Sequence, residues 1–185
     1  MSKQFANISD RHIAFIEKQK IFFVATAAPE GRVNVSPKGM ESLKVLGENK
    51  VIWLNYTGSG NETAAHLLES SRMTLMFCAF EGSPEIVRLY GSATAIHCED
   101  EKWQEYIAQF EDPAGARQIF LLDVDLVQSS CGMSVPLYDY VQERNDLKKW
   151  HHKRTSEELR EYWKKKNSVS IDGKETHIAE LINKS

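Results

Sequence analysis

The stretch Thr57-Gly58-Ser59-Gly60-Asn61-Glu62-Thr63 is where residue types and spacing first point to chemistry in this chain of 185 residues. It joins a β-branched run ending at Tyr56 to a helical run beginning at Glu62, a place where unpaired backbone N–H groups and the helix dipole favour an anion. Glycines let the backbone approach a ligand closely. Asn61 and Thr63 can each add a side-chain donor, whereas Glu62 suits the helix N-terminus better than the anion itself. An ordinary capped turn uses the same residues, so the loop by itself leaves both readings open. Two sharper nucleotide motifs fail. Gly58-x-Gly60 lacks the third glycine of a dinucleotide fingerprint, and no Gly-x-x-x-x-Gly-Lys-Ser/Thr occurs anywhere.

Other constellations are weaker. Asp123 and Asp125 share one face of a probable strand, but no matching His or Cys cluster accompanies them, and a polar outer face explains the pair. His151 and His152 are adjacent and cannot easily present both rings to one ion from a helix, so no protein-bound metal is expected. Ser134 lies in no Gly-x-Ser-x-Gly elbow, and no catalytic residue can be named. Cys78, Cys98 and Cys131 are odd in number and form no Cys-x-x-Cys pair. Reduced thiols are the expectation, buried and inert being the commoner state for Cys78 and Cys131.

The elements that must position the loop read as mainly antiparallel β. A helix is expected over 10–19, capped by Ser9 or Asp10. Runs 21–27 and 32–38 form a hairpin around Pro29-Glu30-Gly31, and runs 43–46 and 51–56 form a second around Gly47-Glu48-Asn49. After a helix over 62–71, runs 73–80 and 86–96 make a longer hairpin, leaving little room for parallel crossovers. Trp103, Tyr106, Ile107 and Phe110 follow the spacing of an amphipathic helix. A strand over 119–127 and a helix from about Thr155, with Thr155 and Glu158 as a capping box, complete the pattern. Six or so strands with inserted helices favour a small closed barrel, an α+β chain of one domain.

Composition agrees with one globular unit. The formal charge of −3 hides a basic stretch over 144–166, with nine Lys or Arg against four Asp or Glu. Its charges alternate with Glu157, Glu158 and Glu161, which suits a solvated helix face better than nucleic acid. The longest apolar runs fall far short of the roughly 20 residues that span a bilayer. No signal-peptide order opens the chain, so a cytoplasmic location is expected.

The strand Arg32-Val33-Asn34-Val35-Ser36-Pro37-Lys38, followed by Asn55-Tyr56 and the loop, resembles the pyridoxamine 5'-phosphate oxidase-related flavin-binding split-barrel family. The hairpin from Met76-Phe77-Cys78 to Leu89-Tyr90-Gly91 is similar to that family's next two barrel strands. Cys131-Gly132 and Val135-Pro136-Leu137-Tyr138-Asp139-Tyr140 resemble a subgroup signature. The likeness covers a core of about 10–130, with 131–185 as a largely helical extension. It implies a six-stranded antiparallel Greek-key split barrel with peripheral helices. It further implies a homodimer with flavin mononucleotide (FMN) at the subunit interface, exchanging electrons with a small-molecule donor and acceptor. Arg32, Val33, Asn34 and Val35 would line the flavin ring, and Lys38 would lie toward ring or phosphate. Tyr56, Thr57, Asn61 and Thr63 would sit along the ribityl phosphate, with Arg88 a further contact.

The same resemblance leaves room for a non-catalytic module carrying a flavin, a deazaflavin or haem. Three departures are visible, one being that Lys38 sits one residue further from Arg32 than in the oxidase pattern. The basic pair that better-known members carry at the start of the phosphate-binding helix is replaced by Asn61-Glu62-Thr63. The Arg-Leu-His-Asp-Arg-like strand with which true pyridoxamine phosphate oxidases bind their vitamin substrate is missing after Val141, so vitamin B6 oxidation is not assigned.

Overall fold

The structure, a computed structural model, describes residues 2–182. One curled antiparallel sheet organises the chain. Its strands are β1 (Lys3–Phe5), β2 (Phe22–Thr26), β3 (Asn34–Lys38), β4 (Leu43–Gly47), β5 (Lys50–Tyr56), β6 (Arg72–Cys78), β7 (Ile86–Ile96) and β8 (Ala116–Ser130). They pair in the order β3-β2-β6-β7-β8-β5-β4, with β1 added beside β8. The helices are α1 (Asp10–Lys18), α2 (Glu62–Glu69), α3 (Trp103–Ile107), α4 (Asp146–His152), α5 (Ser156–Lys166) and α6 (Ile178–Ile182). The chain is an antiparallel split barrel with peripheral helices, as expected. Eight strands form where the resemblance implied six; among them β1, whose three side chains are all exposed and carry no burial pattern, is the one outside the runs read from sequence.

The barrel core follows from alternation. Phe22, Val24, Trp53, Leu75, Phe77, Leu89, Phe120 and Leu122 pack inside it, with the Trp53 and Phe120 rings 4.6 Å apart and those of Phe22 and Phe77 5.8 Å apart. A second core lies on the other face of β5 and β8, where Ile52, Leu54, Ile119 and Leu121 meet Trp103, Tyr106 and Phe110 from α3 and its C-terminal continuation. Burial on both faces explains why β5 reads as an unbroken apolar run and not as an alternating one.

Several boundaries differ from expectation. The helix predicted over 62–71 ends at Glu69, and the final strand runs from Ala116 to Ser130, well beyond 119–127. Thr155 and Glu158 do form the capping box at the start of α5. Among the described residues no helix is long and apolar enough to cross a membrane. Cys78 is buried, but Cys131 is exposed, as is Cys98, because residue 131 lies just past the end of β8; all three are free thiols.

Candidate functional site

The two edges β3 and β4 of the hydrogen-bonded order do not pair, and the curl brings β3 opposite the end of β5 across this split. Asn34, Ser36 and Lys38 stand opposite Thr26, Val24 and Phe22 of β2. Directly opposed residues share a sheet face, so these three polar side chains take the inward face at the barrel's open edge. Lys38 Nζ lies 5.4 Å from the centre of the Trp53 ring. A cavity of about 300 Å³ fills the split, lined by Asn34, Ser36, Lys38, Asn55, Tyr56, Gly58, Ser59, Gly60, Asn61, Glu62, Thr63 and Arg117.

The strand and loop singled out by sequence therefore meet in one place, with assignments that divide. Lys38, Asn34, Tyr56, Asn61 and Thr63 line the cavity. Asn34 donates to the Thr63 hydroxyl at 3.3 Å and receives the Ser36 hydroxyl at 3.0 Å. Tyr56 stacks on His151 and donates to the Asp112 carbonyl at 2.8 Å; burial, then the Asp112 charge, pushes its phenol up to about 12.

Arg32, Val33 and Val35 lie outside the cavity lining. The two valines are 69% and 61% exposed, and Val35 takes the outward face of β3 by strict alternation. The Arg32 guanidinium forms an ion pair with Asp172, which also accepts the Arg32 backbone N–H at 2.6 Å. Thr57 is fully buried, but its hydroxyl donates to the Gly115 carbonyl at 2.8 Å and accepts from Trp163 Nε1 at 2.8 Å, which commits it to the scaffold. Arg88 sits on β7, bonded to the Ser130 hydroxyl at 3.2 Å, and does not line this cavity.

Arg117 is the residue that sequence reasoning missed. Between β5 and β8 the register runs Asn55 opposite Gln118 and then Tyr56 opposite Ala116, so Arg117 is the extra residue of a β-bulge. Strict alternation would place it with Ile119 and Leu121 on the α3 side. The bulge re-aims it, as bulges beside functional sites do, and Arg117 lines the cavity while Ala116 takes the α3 face. The only available signal was a basic residue at the start of an apolar strand.

Arg117 is 5% exposed, and among the described residues its Nε and Nη1 have no hydrogen-bond partner. Burial drives its pKa down, an effect Tyr162 of α5 offsets only in part, yet a guanidinium stays charged at neutral pH. Lys38 is pushed down to about 8, first by burial and then by the Arg117 charge. Two converging, poorly compensated cations beside backbone N–H groups at a helix start form a place where an anion relieves a substantial desolvation cost. Gln118 supports the arrangement by donating to Asn61 Oδ1 at 3.1 Å.

Fold and site together define a split-barrel protein with an anion-suited cavity at its split. The chain belongs to the pyridoxamine 5'-phosphate oxidase family, whose model matches residues 8–131. It is 37% identical over 187 residues to the pyridoxamine 5'-phosphate oxidase family protein ustO of Aspergillus flavus, an alignment covering 91% of this chain and 75% of that one. Among solved structures it is similar to a variant of HupZ from Group A Streptococcus, with TM-score 0.54, 17% identity, and coverage of 66% of this chain and 99% of that one. It is also similar to a pyridoxamine 5'-phosphate oxidase candidate from Lactobacillus delbrueckii, with TM-score 0.53, 18% identity, and coverage of 66% and 94%. At such identities these structures speak for the fold alone.

Proposed function

We propose that the chain is an FMN-binding oxidoreductase that holds the phosphate of its cofactor in the cavity at the split. The observation that carries this reading is the buried Arg117 guanidinium with Nε and Nη1 unpartnered, beside Lys38 and the 57–63 loop. The residues fit the group: Arg117 and Lys38 would oppose the phosphate charge, the Ser59 and Thr63 hydroxyls would add donors, and Asn34 and Ser36 would face the ribityl chain. A cavity of about 300 Å³ is at the small end of ligand sites. It suits the phosphate end and leaves the ring outside, along β3. The exposed Val33 and Val35 offer that ring, or a second copy of the chain, an apolar surface, in keeping with a homodimer whose sites lie at the interface.

Bound flavin would supply hydride or electron transfer. The protein would then contribute binding, orientation and a positive field. Among the described residues no histidine, cysteine or methionine lines the cavity, and its one tyrosine, Tyr56, donates its hydroxyl to the Asp112 carbonyl with the phenol pushed up to about 12, which favours flavin over haem. Reconstitution tests the reading: the purified protein should take up FMN with one equivalent per chain and a yellow visible spectrum, and should bind haem no better than a nonspecific control. Colourless protein after exposure to excess FMN would remove the assignment. Stopped-flow reduction by nicotinamide nucleotides separates an oxidoreductase from a carrier, since a carrier accepts no electrons from any donor.

Lys38 makes the binding pH-dependent with a defined sign. Its ammonium titrates at about 8 in the ligand-free protein, and an anion beside it raises that value, so binding takes up a proton. FMN affinity should fall as pH rises through about 8, and Lys38→Met should flatten that part of the profile. By linkage the ligand-free fold changes in the opposite sense. The unfolded chain binds the Lys38 proton up to its ordinary range near 10.5, so this residue's contribution to stability grows as pH rises above about 8. Titration calorimetry in two buffers of different ionisation enthalpy measures the proton uptake directly.

A further inference from the structure

The matched family region ends at residue 131, yet the loop that lines the cavity is held largely by residues beyond it. Trp163 Nε1 donates to the Thr57 hydroxyl at 2.8 Å, and His151 Nε2 donates to the Thr57 carbonyl at 3.1 Å. Asn167 Nδ2 donates to the Gly58 carbonyl at 3.0 Å, while the Asn167 carbonyl accepts from Asn61 Nδ2 at 3.4 Å. Asn167 is fully buried, and its carbonyl also accepts the Thr176 hydroxyl at 2.6 Å, so the bridging residue is itself fixed. The Ile171 N–H lies 3.1 Å from both carboxylate oxygens of Glu62. Lys174 Nζ reaches Glu69 at the far end of α2 at 2.6 Å.

These contacts bear on a loop that has little reason to order itself. Two of its seven residues are glycine, which lose more conformational freedom on ordering than any other residue. Its sixth residue, Glu62, which opens α2, is an acid and would repel a phosphate at that helix start unless its charge were engaged elsewhere. The Ile171 N–H supplies that engagement.

We infer that the C-terminal segment 151–174 is an intramolecular brace for the 57–63 loop, with Asn167 and Trp163 as positioning residues that confer preference for the phosphorylated flavin. This rests on the FMN reading. The brace pre-orders the loop's backbone donors around the phosphate and draws the Glu62 carboxylate toward Ile171. Its effect is therefore confined to the part of the ligand that carries the phosphate, and riboflavin, which has the same ring and chain without it, gains nothing.

The test uses the full chain and two variants, Asn167→Ala and Trp163→Phe, the second keeping an aromatic ring in place while removing the donor. Fluorescence titration with FMN and with riboflavin should show FMN affinity about tenfold lower in each variant, the size of one charge-relevant positioning loss. Riboflavin affinity should stay within about twofold, where no phosphate contact is at stake. Hydrogen exchange on ligand-free protein should show amides of the 57–63 loop opening about tenfold faster in both variants, while β5 and β8 keep their protection. Equal losses for both ligands, or unchanged FMN affinity with unchanged exchange, would overturn the brace. The exchange arm needs no ligand. Wild-type protein that fails to retain FMN therefore overturns the cofactor reading and the phosphate preference, while exchange alone decides whether the tail braces the loop.

Discussion

Arg117→Met is expected to lower the affinity for FMN by about 100-fold, ~2.7 kcal/mol, while raising the melting temperature of the ligand-free protein. The opposite signs follow from one fact. The guanidinium is almost wholly buried, with Nε and Nη1 lacking a hydrogen-bond partner. A buried charge without a counter-ion destabilises a fold, and an apolar side chain of similar volume removes that cost. On the proposed reading, a bound phosphate would accept charge-assisted hydrogen bonds from the same guanidinium, whose loss costs roughly 2–5 kcal/mol in dry sites. Equilibrium fluorescence titration and thermal melts of both forms measure the two effects. Arg117→Lys should give an intermediate affinity, because an ammonium keeps the charge and forfeits the forked geometry. A variant with lower thermal stability and unchanged affinity would make Arg117 a structural residue and move the phosphate elsewhere.

Gly115→Ala is expected to destabilise the protein by about 3 kcal/mol, roughly 6–12 °C in melting temperature for a chain of this size, and to weaken flavin binding with it. Gly115 has φ of +78°, and a Cβ built on it would lie 2.2–2.4 Å from three atoms of the His151 ring. That ring is buried and tethered on two sides. It stacks on Tyr56 with centroids 5.7 Å apart and donates to the Thr57 carbonyl, while the Gly115 carbonyl itself accepts both the backbone N–H and the hydroxyl of Thr57. A methyl group at 115 therefore pushes the tail away from the loop at its first point of attachment. In a His151→Ala background the same substitution should cost only the backbone term, about 1 kcal/mol. Urea denaturation of the four proteins in this cycle gives the coupling. An equal cost in both backgrounds would place the strain in the backbone alone.

His151 also shows how much of the site was legible in sequence. The adjacent His151 and His152 gave no metal signature, and the tail read as a largely helical extension with a solvated basic face. Its docking on the loop depends on a hydrogen bond to residue 57 across 94 positions, which no local pattern encodes. The strand Arg32 to Lys38 was legible as a polar face of alternating residues, since Asn34, Ser36 and Lys38 are two apart. Which of its two cations turns inward was not. Arg32 and Lys38 both share parity with Asn34, so alternation alone does not separate them; Lys38, on β3, enters the cavity, whereas Arg32, two residues before β3 begins, is drawn to Asp172.

The sequence by itself determined the antiparallel sheet, the order of its hairpins, and the polar strand and glycine-bearing loop as candidates. Those features rest on alternation and on turn residues, which act over a few positions. Tertiary structure alone decided the rest. A single bulge between β5 and β8 turned Arg117 from the α3 face into the cavity, against the parity of its own strand. The fold of the tail brought Trp163 and Asn167 onto the loop from more than one hundred residues away. Bulges and long-range docking are set by how whole faces pack, so the buried charge at the split could be placed only once the barrel had formed around it.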